Sequence, residues 1–347
     1  MRLTSIVAGV VAAIATLSAD VHAQDITMAT FGGGVEKVWE TAFAQPFARS
    51  TGATVKIVPV PSPEAQLRNP ASRSQYNVAL VTYPQAANLL RDGLIETFAS
   101  ADLPAAAATD QKYLMKAPDG RLAGASPYFM YYGIAINTTQ AKKSDFTSWS
   151  NLADPKWKGK IALTRPIYLS SYDLPMLAIA QGGSEKDIGP GVDLLKRIAP
   201  NALTQYSSIA HMNGLLTRGE VAAGSYYSGR VWQMRHEGVK DVDMVIPREG
   251  ALMIPYIVVV PKGAKNLPVV KKWLDFISTA PPQVQALELG GYFPLNRDAR
   301  MPAELEKDMG FTLKELLPKL HQPDWAVISA ADKDRTNLAE QILAGAK

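Results

Sequence analysis

Apolar positions in this chain switch repeatedly between two spacings. Short runs at period two, or wholly apolar, read as strands, and longer runs at three-to-four spacing read as helices. Residues 25–31, DITMATF, predict a first strand. Gly32-Gly33-Gly34 follows, then a helix over 35–49 with Val38, Trp39, Ala42, Phe43 and Phe47 on one face. Pro46 is expected to kink it, because proline lacks the N–H that an interior turn needs. Gly52 stops the helix, and 54–60 reads as a second strand, completing a βαβ unit. Residues 76–81, YNVALV, have the look of a buried strand, and Thr82 can cap the helix behind it, with Pro84 in its first turn.

Further strands are predicted at 133–137, 160–164, 202–206, 220–226, 242–246 and 251–261. Helices are predicted between them at 172–181 (Ser170 and Ser171 capping), 188–198, 209–219 (Ser207 and Ser208 capping) and 229–237. Two more open at Asn266-Pro268 and at Pro281-Pro282, and the tail reads as helical to Lys347. Regular β/α alternation predicts an α/β fold. With 347 residues, about 320 of them in the mature chain, the length exceeds what one core normally supports, so two lobes are expected. The division would be 24–133 and 255–347 for lobe 1 and 134–254 for lobe 2. The crossings near Gly133 and Pro255 would act as a hinge.

Composition adds a compartment. Arg2, the uncharged apolar run 6–17 and the small-residue ending Val21-His22-Ala23 predict a cleaved signal peptide over 1–23. The mature protein is then exported. It has no cysteine, so its core alone must hold it. The net charge of +4 is spread without a block of like charges, which argues against a nucleic-acid partner. No H-E-x-x-H, P-loop, G-x-S-x-G or G-x-G-x-x-G motif occurs, and His211, His236 and His321 lack metal-ligand spacing. The expectation is a protein without a cofactor or metal that is not an enzyme.

Binding chemistry is better represented. Strand-to-helix turns collect on one edge of an α/β lobe, and here they carry Gly32–Gly34, Thr82, Ser170-Ser171 and Ser207-Ser208. Helix N-termini favour anions. Arg165 stands where the 160–164 strand ends, and its guanidinium can grip a carboxylate or phosphonate with two bonds. Tyr128, Tyr131, Tyr132, Tyr226, Tyr227 and Tyr256 offer flat faces with a hydroxyl.

Several segments carry a family resemblance. They include YNVALVTYPQAANLLRDGLIE (76–96), PYFMYYGIAIN (127–137), WSNLADPKWKGKIAL (149–163), RGEVAAGSYYSGRV (218–231) and GALMIPYIVVVPKGAKN (250–266). Together they resemble periplasmic solute-binding proteins of ABC importers, in the branch of the spermidine/putrescine-binding proteins. The resemblance implies the two-lobed periplasmic-binding-protein fold, each lobe a mixed sheet flanked by helices, with the ligand cleft between them. It also implies the periplasm as the exported protein's destination, hinge closure on a small solute, and a monomer that delivers it to an inner-membrane permease. The family's ligand positions fall on the loop Thr30, Phe31, Gly32 and Gly33, on Thr82 and Tyr83, and on Tyr227. Polyamine binders place acidic residues at two positions, one taken here by Arg165 or its neighbour and the other by Tyr256. Tyr131 and Tyr226 complete the expected contact set.

Both carboxylates that would neutralise ammonium groups are thus missing, and burying a dication beside an arginine is costly. The expected solute is therefore anionic or zwitterionic rather than a polyamine. Two alternatives stand beside it. Tyr226-Tyr227 also resembles the paired tyrosines of ferric-ion-binding proteins in the same superfamily, and an exported enzyme could use the same fold.

Overall fold

The computed structural model describes residues 25–345, so the expected signal peptide lies outside the described residues. The strands are β1 (Ile26–Thr30), β2 (Val55–Pro59), β3 (Val78–Thr82), β4 (Ala125–Asn137), β5 (Ile161–Leu163) and β6 (Ala202–Gln205). They continue with β7 (Ala223–Tyr227), β8 (Val242–Val245), β9 (Ala251–Val259), β10 (Phe293–Pro294) and β11 (Leu320–His321). Their order is β2-β1-β3-β9-β4-β7-β5-β6, with β8 and β10 also on β4 and β11 on β9. β1, β2 and β3 are parallel neighbours, as are β5, β6 and β7, while β9 and β4 run antiparallel to theirs.

The 13-residue β4 joins the two lobes. It pairs with β9 from Ala125 to Tyr132 and with β7 from Tyr132 to Ile136. β4 therefore leaves one half-sheet and enters the other without a break, and β9 returns beside it. Both strands are buried along their whole length, which is why they read as apolar runs rather than as an alternation. Side chains still alternate across β4: Tyr128 and Met130 face one cavity, while Phe129 and Tyr131 pack into a core on the other side.

The first helix, residues 35–51, follows its apolar face. Trp39 stacks on Phe43 at 4.4 Å, and Phe47 meets the ring of Trp273 at 5.1 Å. The kink expected at Pro46 takes the form of a π turn over Glu40–Ala44. A proline cannot donate to the carbonyl four residues back, and the preceding turn widens to accommodate it. The same device recurs at Leu169–Asp173, just ahead of Pro175. That helix begins at Pro166, six residues earlier than expected. Ser170 and Ser171 are consequently buried mid-helix residues rather than caps, and both hydroxyls donate to Asp332 Oδ1, at 3.0 and 2.8 Å. Two short helices at Pro63–Arg68 and Pro70–Arg73 were not expected. Ser62 and Asn69 cap them, and a proline opens each.

The chain also crosses between the lobes a third time. Helix Trp325–Ala330 packs on Tyr83–Arg91 of the first lobe, whereas Asp332–Gly345 packs on the 166–173 segment of the second. Arg335 Nη2 fixes it there by donating to the Glu185 carbonyl at 2.5 Å. The tail was expected to stay with the first lobe. Its docking rests on contacts with residues some 150 positions away, which local periodicity does not report.

Candidate functional site

A cavity of about 430 Å³ lies between the lobes, against the face of β4 that carries Tyr128 and Met130. The first lobe contributes Phe31, Gly32 and Gly33 after β1, Thr82 at the end of β3, and Tyr256 from β9. From the second come Thr164 and Arg165 after β5, Tyr227 at the end of β7, and Ser207-Ser208 with the first turn of helix Ile209–Thr217. All of these groups except Tyr256, which projects from the interior of β9, sit where a strand meets a turn or helix, the edge at which α/β folds bind ligands.

Seven of the expected contact residues therefore share this cleft: Phe31, Gly32, Gly33, Thr82, Arg165, Tyr227 and Tyr256. The other four do not line it. Thr30 is fully buried behind the loop. Tyr83 turns into the first lobe, where its hydroxyl donates to the Tyr113 carbonyl and meets Ser126 Oγ. Tyr131 points to the opposite side of β4, one residue out of phase with Tyr128 and Met130. Tyr226 precedes Tyr227 on β7 and so faces the other way, and its hydroxyl lies 2.8 Å from Asn213 Oδ1 and 3.2 Å from the Ile209 carbonyl. The Tyr226/Tyr227 pair expected of an iron site thus does not converge, because neighbours in a strand diverge.

Arg165 immediately precedes the helix that begins at Pro166, is exposed, and rests over the Tyr168 ring at 5.0 Å. A second arginine was missed. Arg230, in helix Ser228–His236, is only 5% exposed. Its Nη1 donates to the Gly33 carbonyl and to Gln233 Oε1 (2.9 Å), and its Nη2 lies 3.5 Å from the Gly32 carbonyl. Gly33 and Gly34 hold φ of 76° and 95°, which lets the loop present carbonyls to the guanidinium. Gln233 continues the link across the cleft by donating to the Tyr292 hydroxyl at 3.2 Å. The glycine loop, expected to offer N–H groups to an anion, here holds the arginine in place.

Among the described residues lining the cavity, two are arginines and none is Asp or Glu. Six are tyrosines: Tyr128, Tyr168, Tyr172, Tyr206, Tyr227 and Tyr256. Burial holds the hydroxyls of Tyr172, Tyr227 and Tyr256 above the ordinary phenol range, so they are neutral donors. A buried carboxyl, Asp173, stands outside the lining. Asp173 receives Tyr132 Oη at 3.0 Å, and burial pushes its carboxyl up to about 7. Arg230 carries its charge in a low-dielectric position without a carboxylate, an arrangement that becomes favourable when an anion arrives.

Comparison with known proteins supports the same kind of molecule. A model of the bacterial extracellular solute-binding proteins matches residues 42–312. Spermidine/putrescine-binding periplasmic protein 1 of Haemophilus influenzae is 25% identical over 291 residues, spanning 80% of this chain and 79% of that protein. The gamma-aminobutyric acid-binding protein of Pseudomonas aeruginosa is 24% identical over 293 residues, spanning 81% and 79%. An ABC transporter substrate-binding protein of Bradyrhizobium japonicum superposes with a TM-score of 0.77 at 20% identity, covering 91% of this chain and 99% of that one.

Proposed function

Since the chain belongs to the family of bacterial extracellular solute-binding proteins, we propose that it captures a small organic anion or zwitterion between Arg165 and Arg230. The observation that carries this is the charge of the lining: two arginines without a single Asp or Glu. A polyamine in this cleft would bury two or more ammonium groups beside two guanidinium groups, at a cost of several kcal/mol. A carboxylate or phosphonate would instead accept charge-assisted bonds from Arg165 and Arg230, with hydroxyls of Thr82, Ser207 and Ser208 at hand. The volume of about 430 Å³ suits a small organic molecule rather than a bare ion. The tyrosine faces suit its carbon skeleton or, in a zwitterion such as gamma-aminobutyric acid, its ammonium group.

Delivery to an ABC permease, export behind the 1–23 signal peptide and a monomeric state belong to the same proposal. So does a lobe division at the β4 and β9 crossings, with 332–345 assigned to the second lobe. Ferric iron is the weaker reading, because the Tyr226 hydroxyl is spent on Asn213 and Ile209.

Thermal-shift screening of organic acids, phosphonates, amino acids and polyamines tests the proposal. An acid or zwitterion should stabilise the wild type and lose most of that effect in Arg165→Ala. Stabilisation by putrescine or spermidine, unaltered in that variant, would reject it. Turnover of the bound solute, rather than stoichiometric binding, would favour an enzyme.

A further inference from the structure

A larger cavity, of about 1060 Å³, lies on the opposite face of the hinge strands. Tyr131, which turns away from the cleft, forms part of its floor. One wall comes from the middle of the chain, with Trp232, Arg235 and Asp243, and the other from later segments, with Phe293, Phe311 and Lys319. Four cationic side chains line it against two acidic ones. Both acids are already engaged. Asp243 pairs with Lys143 at 2.7 Å and with Arg235 at 3.8 Å, and Glu249 bonds Ser148, Trp149 and Arg248. Lys319 has no acidic partner among the described residues. The Tyr131 side chain is 5% exposed, and no hydrogen bond to its hydroxyl forms among the described residues. Surplus positive charge at the rim, with the half-buried ring of Phe311 and the largely buried rings of Phe293 and Trp232 behind it, gives the cavity an amphipathic character.

We propose that this rear cavity is a second binding site, separate from the cleft, that takes an organic anion with an aromatic or apolar body. The body would lie against Phe293, Phe311 and Trp232, and the anionic group would meet Lys319 and Arg248 at the rim.

The probe for the test is 8-anilino-1-naphthalenesulfonate, which carries one sulfonate on an aromatic body. Its fluorescence with the full mature protein should saturate at one equivalent. Binding should weaken at least tenfold in the double variant Lys319→Glu/Arg248→Glu, whose positions are exposed and whose melting temperature should match the wild type. The uncharged N-phenyl-1-naphthylamine should bind at least tenfold more weakly, and Arg165→Ala, exposed in the cleft, should leave sulfonate binding unchanged. Absence of saturable binding would overturn the proposal. So would binding insensitive to the double variant, or binding lost in Arg165→Ala, which would put the probe in the cleft.

Discussion

Replacing Arg230 by methionine separates what the guanidinium does for the fold from what it does for the solute. The side chain is buried at 5% exposure and bonds Gly33, Gly32 and Gln233, all through neutral acceptors. Bonds from a charged donor are worth about 1.5–3 kcal/mol each, but burying an arginine without a carboxylate costs several kcal/mol, so the two terms largely cancel. Methionine fills a similar volume and needs no partner. The empty protein should therefore melt within about 1–2 °C of wild type, the shift expected for roughly 1 kcal/mol in a chain of this size. Solute binding should respond differently. Truncating one side of a buried charge pair costs about 2–5 kcal/mol, a loss of roughly 30- to several-thousand-fold in affinity. Isothermal titration of solute-free wild type and Arg230→Met with the solute identified from the purified protein measures the ratio. Arg230→Lys should fall between them, since it keeps the charge and loses the fork. Equal affinities in wild type and Arg230→Met would refute the placement of the guanidinium against the solute. A large fall in melting temperature with unchanged affinity would make Arg230 a structural latch between the lobes.

Other consequences can be checked separately. Tyr227→Ala should weaken solute binding at least tenfold, whereas Tyr226→Phe, which removes only the bonds to Asn213 and Ile209, should cost about 1 kcal/mol of stability and leave affinity unchanged. Asp173 holds its proton to about pH 7 when folded and releases it near the ordinary carboxyl value of 3.8 when unfolded. Its contribution to stability therefore falls as pH rises between these values, by at most about 1.4 kcal/mol per pH unit. Asp173→Asn should flatten the melting profile between pH 5 and 7, and superimposable profiles would show that the carboxyl ionises freely. Asp332→Ala removes the carboxylate that ties the tail helix to Ser170 and Ser171, whose hydroxyls can then turn to the Ile167 carbonyl within their own segment, and should speed hydrogen exchange in 332–345 before the rest of the second lobe.

The elements were largely legible because their patterns are local. YNVALV, GIAIN and the Ser208 cap each fold as their spacing indicates, the last with Ser208 Oγ accepting from His211 N at 3.1 Å. Arg165 was legible for the same reason, as the residue just after a buried strand. Arg230 was not. Its helix has no strong apolar face, and its burial depends on a glycine loop almost two hundred residues earlier. The clue lay in its position three residues beyond Tyr227, inside a segment already singled out by resemblance. Tyr131 and Tyr226 were placed in the cleft from their residue type. Strand alternation with Tyr128 and Tyr227 as the reference would have removed both. Ser170 and Ser171 pass for a cap because serine is a favoured cap residue, whereas the true start is Pro166, directly behind Arg165.

The sign of the solute's charge is the central claim, and the purified protein can report it. Mass spectrometry of small molecules released on denaturing the exported protein should find one carboxylate- or phosphonate-bearing compound in near-stoichiometric amount, absent from Arg230→Met. Release of putrescine, spermidine or another polyamine in that amount would contradict the account.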